Sequence, residues 1–329
     1  MKPIDFDTLP PQLWEHCRDI ARVYWVLVKV MLPAILLVKL LDSFGATEWL
    51  GWLLAPVMEW VGLPANMGLV WAAAILTNLY TAMVVFYELA GSEHLSVAQV
   101  SVLGILVLVA HSLPTEGAVA KMVGVRWRIT LVLRIGGALL LAAVVHRVYA
   151  WGQWQQQEAQ MLWSPTLSEQ GLMAWGLDQL RLFATIFVII SALMSLLRVL
   201  RWLGIERLMH WLLSPLLRVL QVGREATNVT IIGITLGLSF GAGLLVAEAR
   251  TGQISKRDMV LTTCFLGLAH SLIEDTLLIM LLGADPYAIL WGRLAFAIVV
   301  MAIIARAWRR TASAPTLSAN AETEKPGLQ

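Results

Sequence analysis

Two short stretches hold most of the side chains in this sequence that could do chemistry. They are Ala110-His111-Ser112-Leu113-Pro114-Thr115-Glu116 and Ala269-His270-Ser271-Leu272-Ile273-Glu274-Asp275. Imidazole beside carboxylate can carry protons or bind a metal ion. His111, Ser112, Glu116, His270, Ser271, Glu274 and Asp275 are therefore candidate solute-binding residues, with any metal role left open. The plain alternative for each histidine is a ring bonded to a nearby carbonyl of its own helix. A His/Glu pair can also activate water. However, the sequence has no Walker loop, HExxH, CxxC or nucleophile elbow. The expectation is a protein that is not an enzyme and uses no cofactor.

The surroundings of these stretches are apolar. Of 329 residues, 58% are hydrophobic and 14% charged, against about 25% charged in an ordinary soluble domain. Mean hydropathy is +0.73. The bilayer must therefore be part of the solvent. A net charge of +2, with basic residues at segment ends, gives no footprint for nucleic acid. Cys17 and Cys264 are far apart and imply no disulfide framework. Acidic residues Asp5, Asp7 and Glu15 precede the first apolar run. That run is expected to act as an uncleaved signal.

The two motifs belong to a longer repeat. The spacing that superposes His270 on His111 also superposes Gly283 on Gly124, Arg293 on Arg134, and Trp211-Leu212-Leu213-Ser214-Pro215 on Trp52-Leu53-Leu54-Ala55-Pro56. The expected organisation is a cytoplasmic segment 1–22, a first repeat 23–150, an external linker 151–176, a second repeat 177–310 and a disordered cytoplasmic tail 311–329. Each repeat reads as a long apolar helix, an amphipathic interfacial helix, an apolar run broken in its middle, the motif-bearing crossing, and a last long helix. The breaks are Thr77-Asn78 in one half and Gly237, Ser239, Gly241 and Gly243 in the other.

Basic residues decide how these runs lie. If runs 65–89 and 226–249 are re-entrant hairpins, every Lys/Arg-rich connection is cytoplasmic and every poor one external. If all eight runs crossed, the basic segments 121–128 and 198–224 would be outside. The expected fold is thus all-α and integral to the membrane. It has two inverted-topology repeats, each with three transmembrane helices, one interfacial amphipathic helix and one re-entrant hairpin. Both termini are cytoplasmic, in a bacterial inner (plasma) membrane. Inverted repeats with broken helices are the architecture of secondary transporters.

The motifs then fall near mid-membrane, where a charge costs at least about 2.5–3.5 kcal/mol and calls for a partner or a purpose. Glu116 and Arg134 flank one turn at similar depth, as do Asp275 and Arg293, so each is expected to pair. Such a pair is either a structural staple or a gate that releases one member to a ligand. Pro114 is expected to break its helix; Ile273 at the matching position leaves the second break open.

The His-Ser-x-x-(Glu/Asp) segments and the Gly-rich run 233–243 carry a family resemblance. The chain resembles the nucleoside-recognition, or gate-domain, membrane proteins. These include spore maturation proteins A and B and the gate regions of ferrous iron transport protein B and of concentrative nucleoside transporters. The resemblance implies a solute site formed by hairpin tips and broken helices. It points to Thr77, Asn78, Ser239, His111, Glu116, His270, Glu274 and Asp275. The expected function is a secondary transporter or facilitator of a small polar solute, nucleoside-like, with proton coupling left open. A divalent metal-ion permease and a non-transporting membrane partner in envelope assembly are the alternatives. The expected partners are the bilayer and the solute or ion, with a homo-oligomer left open and no nucleic acid.

Overall fold

The computed structural model describes residues 9–90, 94–161, 171–220, 222–236, 247 and 254–312. All named elements among them are helical, and an isolated antiparallel bridge joins Ser96 and Glu158. The helices are α1 (Leu9–Ser43), α2 (Ala46–Trp60), α3 (Met67–Leu76), α4 (Leu79–Ala90), α5 (Val97–Val109) and α6 (Leu113–Met122). Next is α7, the span Trp127–Gly152. The second half holds α8 (Leu172–Trp202), α9 (Ile205–Leu217), α10 (Arg224–Leu236), α11 (Lys256–Leu268), α12 (Glu274–Met280) and α13 (Arg293–Ala312). Ser239, the glycines of the second break, Glu248 and the tail beyond residue 312 lie outside the described residues.

Among the described residues, five stretches are long and apolar enough to cross a membrane: Leu13–Leu41, Val97–Met122, Trp127–Gly152, Met173–Trp202 and Tyr287–Trp308. The sixth expected crossing, 258–282, consists of two shorter helices, α11 and α12. Helices α1 and α8 pack on one another and expose much of their apolar surface, including Trp25, Leu36, Leu37 and Val188. In a membrane protein that surface faces lipid. Helices α3 and α4 have 10 and 12 residues, about 15–18 Å at 1.5 Å per residue, too short to cross a hydrocarbon core of about 30 Å. They pack against each other, and α3 also packs on α5 and α6.

The centre is α5. Nearly all its residues are buried, and it packs on α3, α4, α7 and α12. Its N-terminus is closed by a capping box, Ser96 with Gln99. The linker covers the same end: Val97 and Ala98 donate N–H to the carbonyls of Gln157 and Gln155, at 2.9 and 2.8 Å. Gly104 lets α12 approach, since a Cβ there would lie 2.5 Å from Ile279. The halves are also joined where Tyr149 donates to Asp285 Oδ2 at 2.6 Å and the Asp285 N–H donates to Ser101 at 2.7 Å.

Candidate functional site

Both motif-bearing helices break, and they break alike. α5 ends at Val109 and α6 begins at Leu113; α11 ends at Leu268 and α12 begins at Glu274. The residues closing α5 and α11, Ala110 and Ala269, leave the helix with φ/ψ of −132°/58° and −146°/62°. Ser112 and Ser271 then take positive φ of 50° and 46°, a left-handed conformation that side chains rarely adopt. Pro114 is not what makes the break. It occupies the first turn of α6, where a missing N–H costs nothing, and the second half breaks with Ile273 in its place.

A broken helix leaves carbonyls to satisfy, and at the end of α5 every one has a donor. Leu106 accepts from the Ala110 N–H and from Trp71 Nε1 at 3.1 and 3.0 Å. Val107 accepts from His111 Nδ1 at 2.9 Å, Leu108 from Arg293 Nη1 at 3.5 Å and Val109 from Arg134 Nε at 2.9 Å. The two buried arginines, one from each half, thus meet the negative end of one helix dipole. Each arginine lies at a π-helical turn: Arg134 within Val132–Gly136, and Arg293 directly after Tyr287–Gly292. Such turns re-aim side chains and recur at functional sites.

The break in α11 matches that in α5. His270 Nδ1 donates to the Leu266 carbonyl at 2.8 Å. Both histidines therefore do what the plain reading expects with one ring nitrogen. The other nitrogen is where they differ from it. His111 Nε2 and His270 Nε2, 159 residues apart in sequence, lie 3.2 Å from each other, with both rings buried. Glu116 Oε1 is 3.3 Å from His270 Nε2 and 3.6 Å from His111 Nε2. Asp275 Oδ2 is 3.9 and 3.8 Å from the same atoms. Two imidazoles and two carboxylates thus share one buried point between the halves. His111, His270 and Asp275 have the separations of a metal-binding set.

The charge pairs differ from expectation in one half. Arg134 Nη1 donates to Glu116 Oε2 in a close ion pair. Asp275 and Arg293 form no such pair within 4.0 Å among the described residues. Arg293 reaches instead to the Leu108 carbonyl and, at 3.5 Å, to the Thr276 hydroxyl. The reason is geometric: the dipole end of α5 competes for the guanidinium, and Asp275 turns toward the imidazoles. Asp275 Oδ2 has no hydrogen-bond donor.

The first hairpin tip reaches the site through Tyr80, a polar tip residue outside the expected solute-binding set. Thr77 and Asn78 are spent locally. Thr77 Oγ1 donates to Ala73 at 2.6 Å, and Asn78 Oδ1 accepts from the Thr81 N–H at 2.9 Å. The Thr77 carbonyl accepts from Ser112 Oγ at 2.9 Å, and the Ala74 carbonyl accepts from the Ser112 N–H at 2.8 Å. These two bonds hold the first break against the hairpin. In the second half Leu272 N–H donates to Ile234 of α10 at 2.9 Å, the corresponding tie. The Tyr80 hydroxyl donates to Glu274 Oε1 at 3.1 Å, across the halves.

A small cavity of about 20 Å³ opens beside the cluster, lined by Glu116, Arg134, Thr130, Thr263 and Cys264. That volume holds a water or a small ion. Cys264 is buried on this wall. Glu88 accepts from Trp175 Nε1 and Gln179 Nε2, both at 2.9 Å, and so ties α4 to α8.

A family model described as Gate: Nucleoside recognition matches residues 24–126, which run from α1 through the first His-Ser motif. The uncharacterized membrane protein YvoD of Bacillus subtilis (strain 168) is 32% identical over 294 residues, 87% of this chain and 91% of that one. This chain belongs to the nucleoside-recognition gate family. No solved structure matches it. Membership and the five span-capable helices make it a multi-pass membrane protein. As a gate-family chain it carries the His-Ser motif twice, and only the first copy lies within the matched residues.

Proposed function

We propose that this gate-family protein is a secondary transporter or facilitator that passes a small polar solute or ion between its two halves. One observation carries the reading: two helices broken in the same way bring His111 and His270 to 3.2 Å, with Glu116 and Asp275 around them, deep in the protein. Buried ionisable groups at a helix break are costly, and in membranes they mark solute and ion paths. The proposed topology is two inverted repeats, 23–150 and 177–310, each with three crossings, an interfacial helix and a re-entrant hairpin. The segment 151–176 is external, and 1–22 and 311–329 are on the cytoplasmic side of a bacterial inner membrane. The short, mutually packed α3 and α4 and the distribution of basic residues support this arrangement. We read the protein as a non-enzyme needing no cofactor. A cavity of about 20 Å³ favours an ion over a nucleoside in this conformation, because organic ligand pockets are about 300–1,000 Å³.

Flux into proteoliposomes tests the reading, with radiolabelled uridine and adenosine and with reporters for protons, Zn²⁺ and Mn²⁺. Flux of at least one probe, abolished in a folded His270→Ala variant, is expected. Folded wild-type protein that moves none of them would favour a structural role as a membrane partner in envelope assembly.

A further inference from the structure

We propose that His111 Nε2, His270 Nε2 and Asp275 Oδ2 bind one divalent transition-series cation of the zinc class, with the Glu116 carboxylate beside it. The proposal rests on the transport reading only for the ion's role as cargo; binding is measured on its own.

Three observations carry it. First, the ring nitrogens are assigned by their neighbours. A carbonyl only accepts, so both Nδ1 atoms must be donors, to Val107 and Leu266. In the neutral rings both Nε2 atoms then present lone pairs to each other at 3.2 Å. Two acceptors facing at that distance repel unless a proton or a metal cation lies between them. Second, the spacing fits. Ligands about 2.0–2.1 Å from a tetrahedral zinc lie about 3.3 Å apart. His111 Nε2 and His270 Nε2 are 3.2 Å apart, and Asp275 Oδ2 lies 3.8 and 3.9 Å from them, so these three atoms fall within metal-ligand reach of one another, with Glu116 Oε1 beside the nitrogens at 3.3 and 3.6 Å. Third, the outer contacts are those of a metal site. Ligating histidines donate their other N–H to a carbonyl or carboxylate, and ligating carboxylates are held by a further donor. Here both Nδ1–H groups meet carbonyls and Arg134 holds Glu116 by its second oxygen, while Asp275 Oδ2 is buried without a donor.

The donor set selects the ion. Two imidazoles with two carboxylates suit zinc and its borderline neighbours, whereas Mg²⁺ and Ca²⁺ take oxygen alone. The Asp275 and Glu116 carboxylates together balance the divalent charge.

The test uses the purified full chain in nanodiscs. Zn²⁺ is titrated against a chromophoric chelator, and Co²⁺ is added as a spectroscopic stand-in. One Zn²⁺ per chain is expected, with a rise in melting temperature and the strong visible absorption of tetrahedral Co²⁺. His270→Asn and Asp275→Asn should each weaken binding by at least about tenfold. Should those variants not fold, His270→Cys supplies a thiolate instead. It should keep zinc and add a sulfur-to-cobalt charge-transfer band. Wild-type protein that is folded yet binds no Zn²⁺, or binding unchanged in the variants, overturns the site. Proton or nucleoside flux without zinc binding overturns it too and leaves the transport reading intact. Zinc binding with no flux of any probe leaves the site standing and removes the transport reading.

Discussion

At the scale of single residues, burial sets the stakes. Arg134 is almost wholly enclosed and holds Glu116, itself mostly buried. Removing one partner leaves a stranded charge, so Arg134→Ala should lower the unfolding free energy by about 3–5 kcal/mol. Thermal unfolding in detergent reads the change. Adding Glu116→Ala should recover part of the loss, because the coupling between the pair goes with both partners; equal losses in the single and double variants would count against the pair. Tyr80 is a different case. Tyr80→Phe keeps the ring and loses only the donor to Glu274. A hydrogen bond to a charged group is worth about 1.5–3 kcal/mol, which is the expected drop in stability. A drop well under 1 kcal/mol would mean that Glu274 is neutral or finds another donor. The sequence displayed the titratable groups here because the motif recurs at one spacing. It could not display Tyr80 meeting Glu274, or the two histidines meeting each other. Those contacts span more than 150 residues and follow from how the halves pack, which no local pattern encodes.

At the scale of the helix, a break is stable only if its loose ends are satisfied. The end of α5 draws donors from α3, the break itself, α7 and α13. The break therefore depends on tertiary contacts more than on proline. Pro114→Ala should cost less than about 1 kcal/mol in thermal unfolding and leave the α5–α6 break in place, since Ile273 coexists with the same break in the second half. Ser112→Val should cost more than about 2 kcal/mol. It removes the hydroxyl bond to Thr77 and puts a β-branched residue at φ 50°. If Pro114→Ala proved the more harmful of the two, the proline would be the cause of the break. Helix lengths and the amphipathic stretches were legible because periodicity is local. The first break was expected from Pro114 for a reason that its twin at Ile273 does not share. The true signal was the repeated His-Ser pair, whose backbone conformation is set by ties to α3 and α10.

For the whole molecule, the arrangement of charge at the loops makes a sharp claim. With three crossings per half, the linker between the repeats must be opposite both termini; with four it must be on their side. The positive-inside pattern requires the first arrangement. The protein carries its own probe, because Cys17 is exposed near the N-terminus and Cys264 is buried. In intact cells a membrane-impermeant maleimide should leave Cys17 unlabelled and should label it only after the membrane is opened. In a Cys17→Ser background, Gln157→Cys places a thiol on an exposed linker residue, and it should label in intact cells. Cys264 is the internal control: enclosed in the wall of the central cavity, it should resist both treatments until the protein is denatured. Labelling of positions 17 and 157 from the same side would make the halves parallel. The two motifs would then not face the membrane in opposite senses, and the proposed inverted-repeat arrangement around the dihistidine centre would fall.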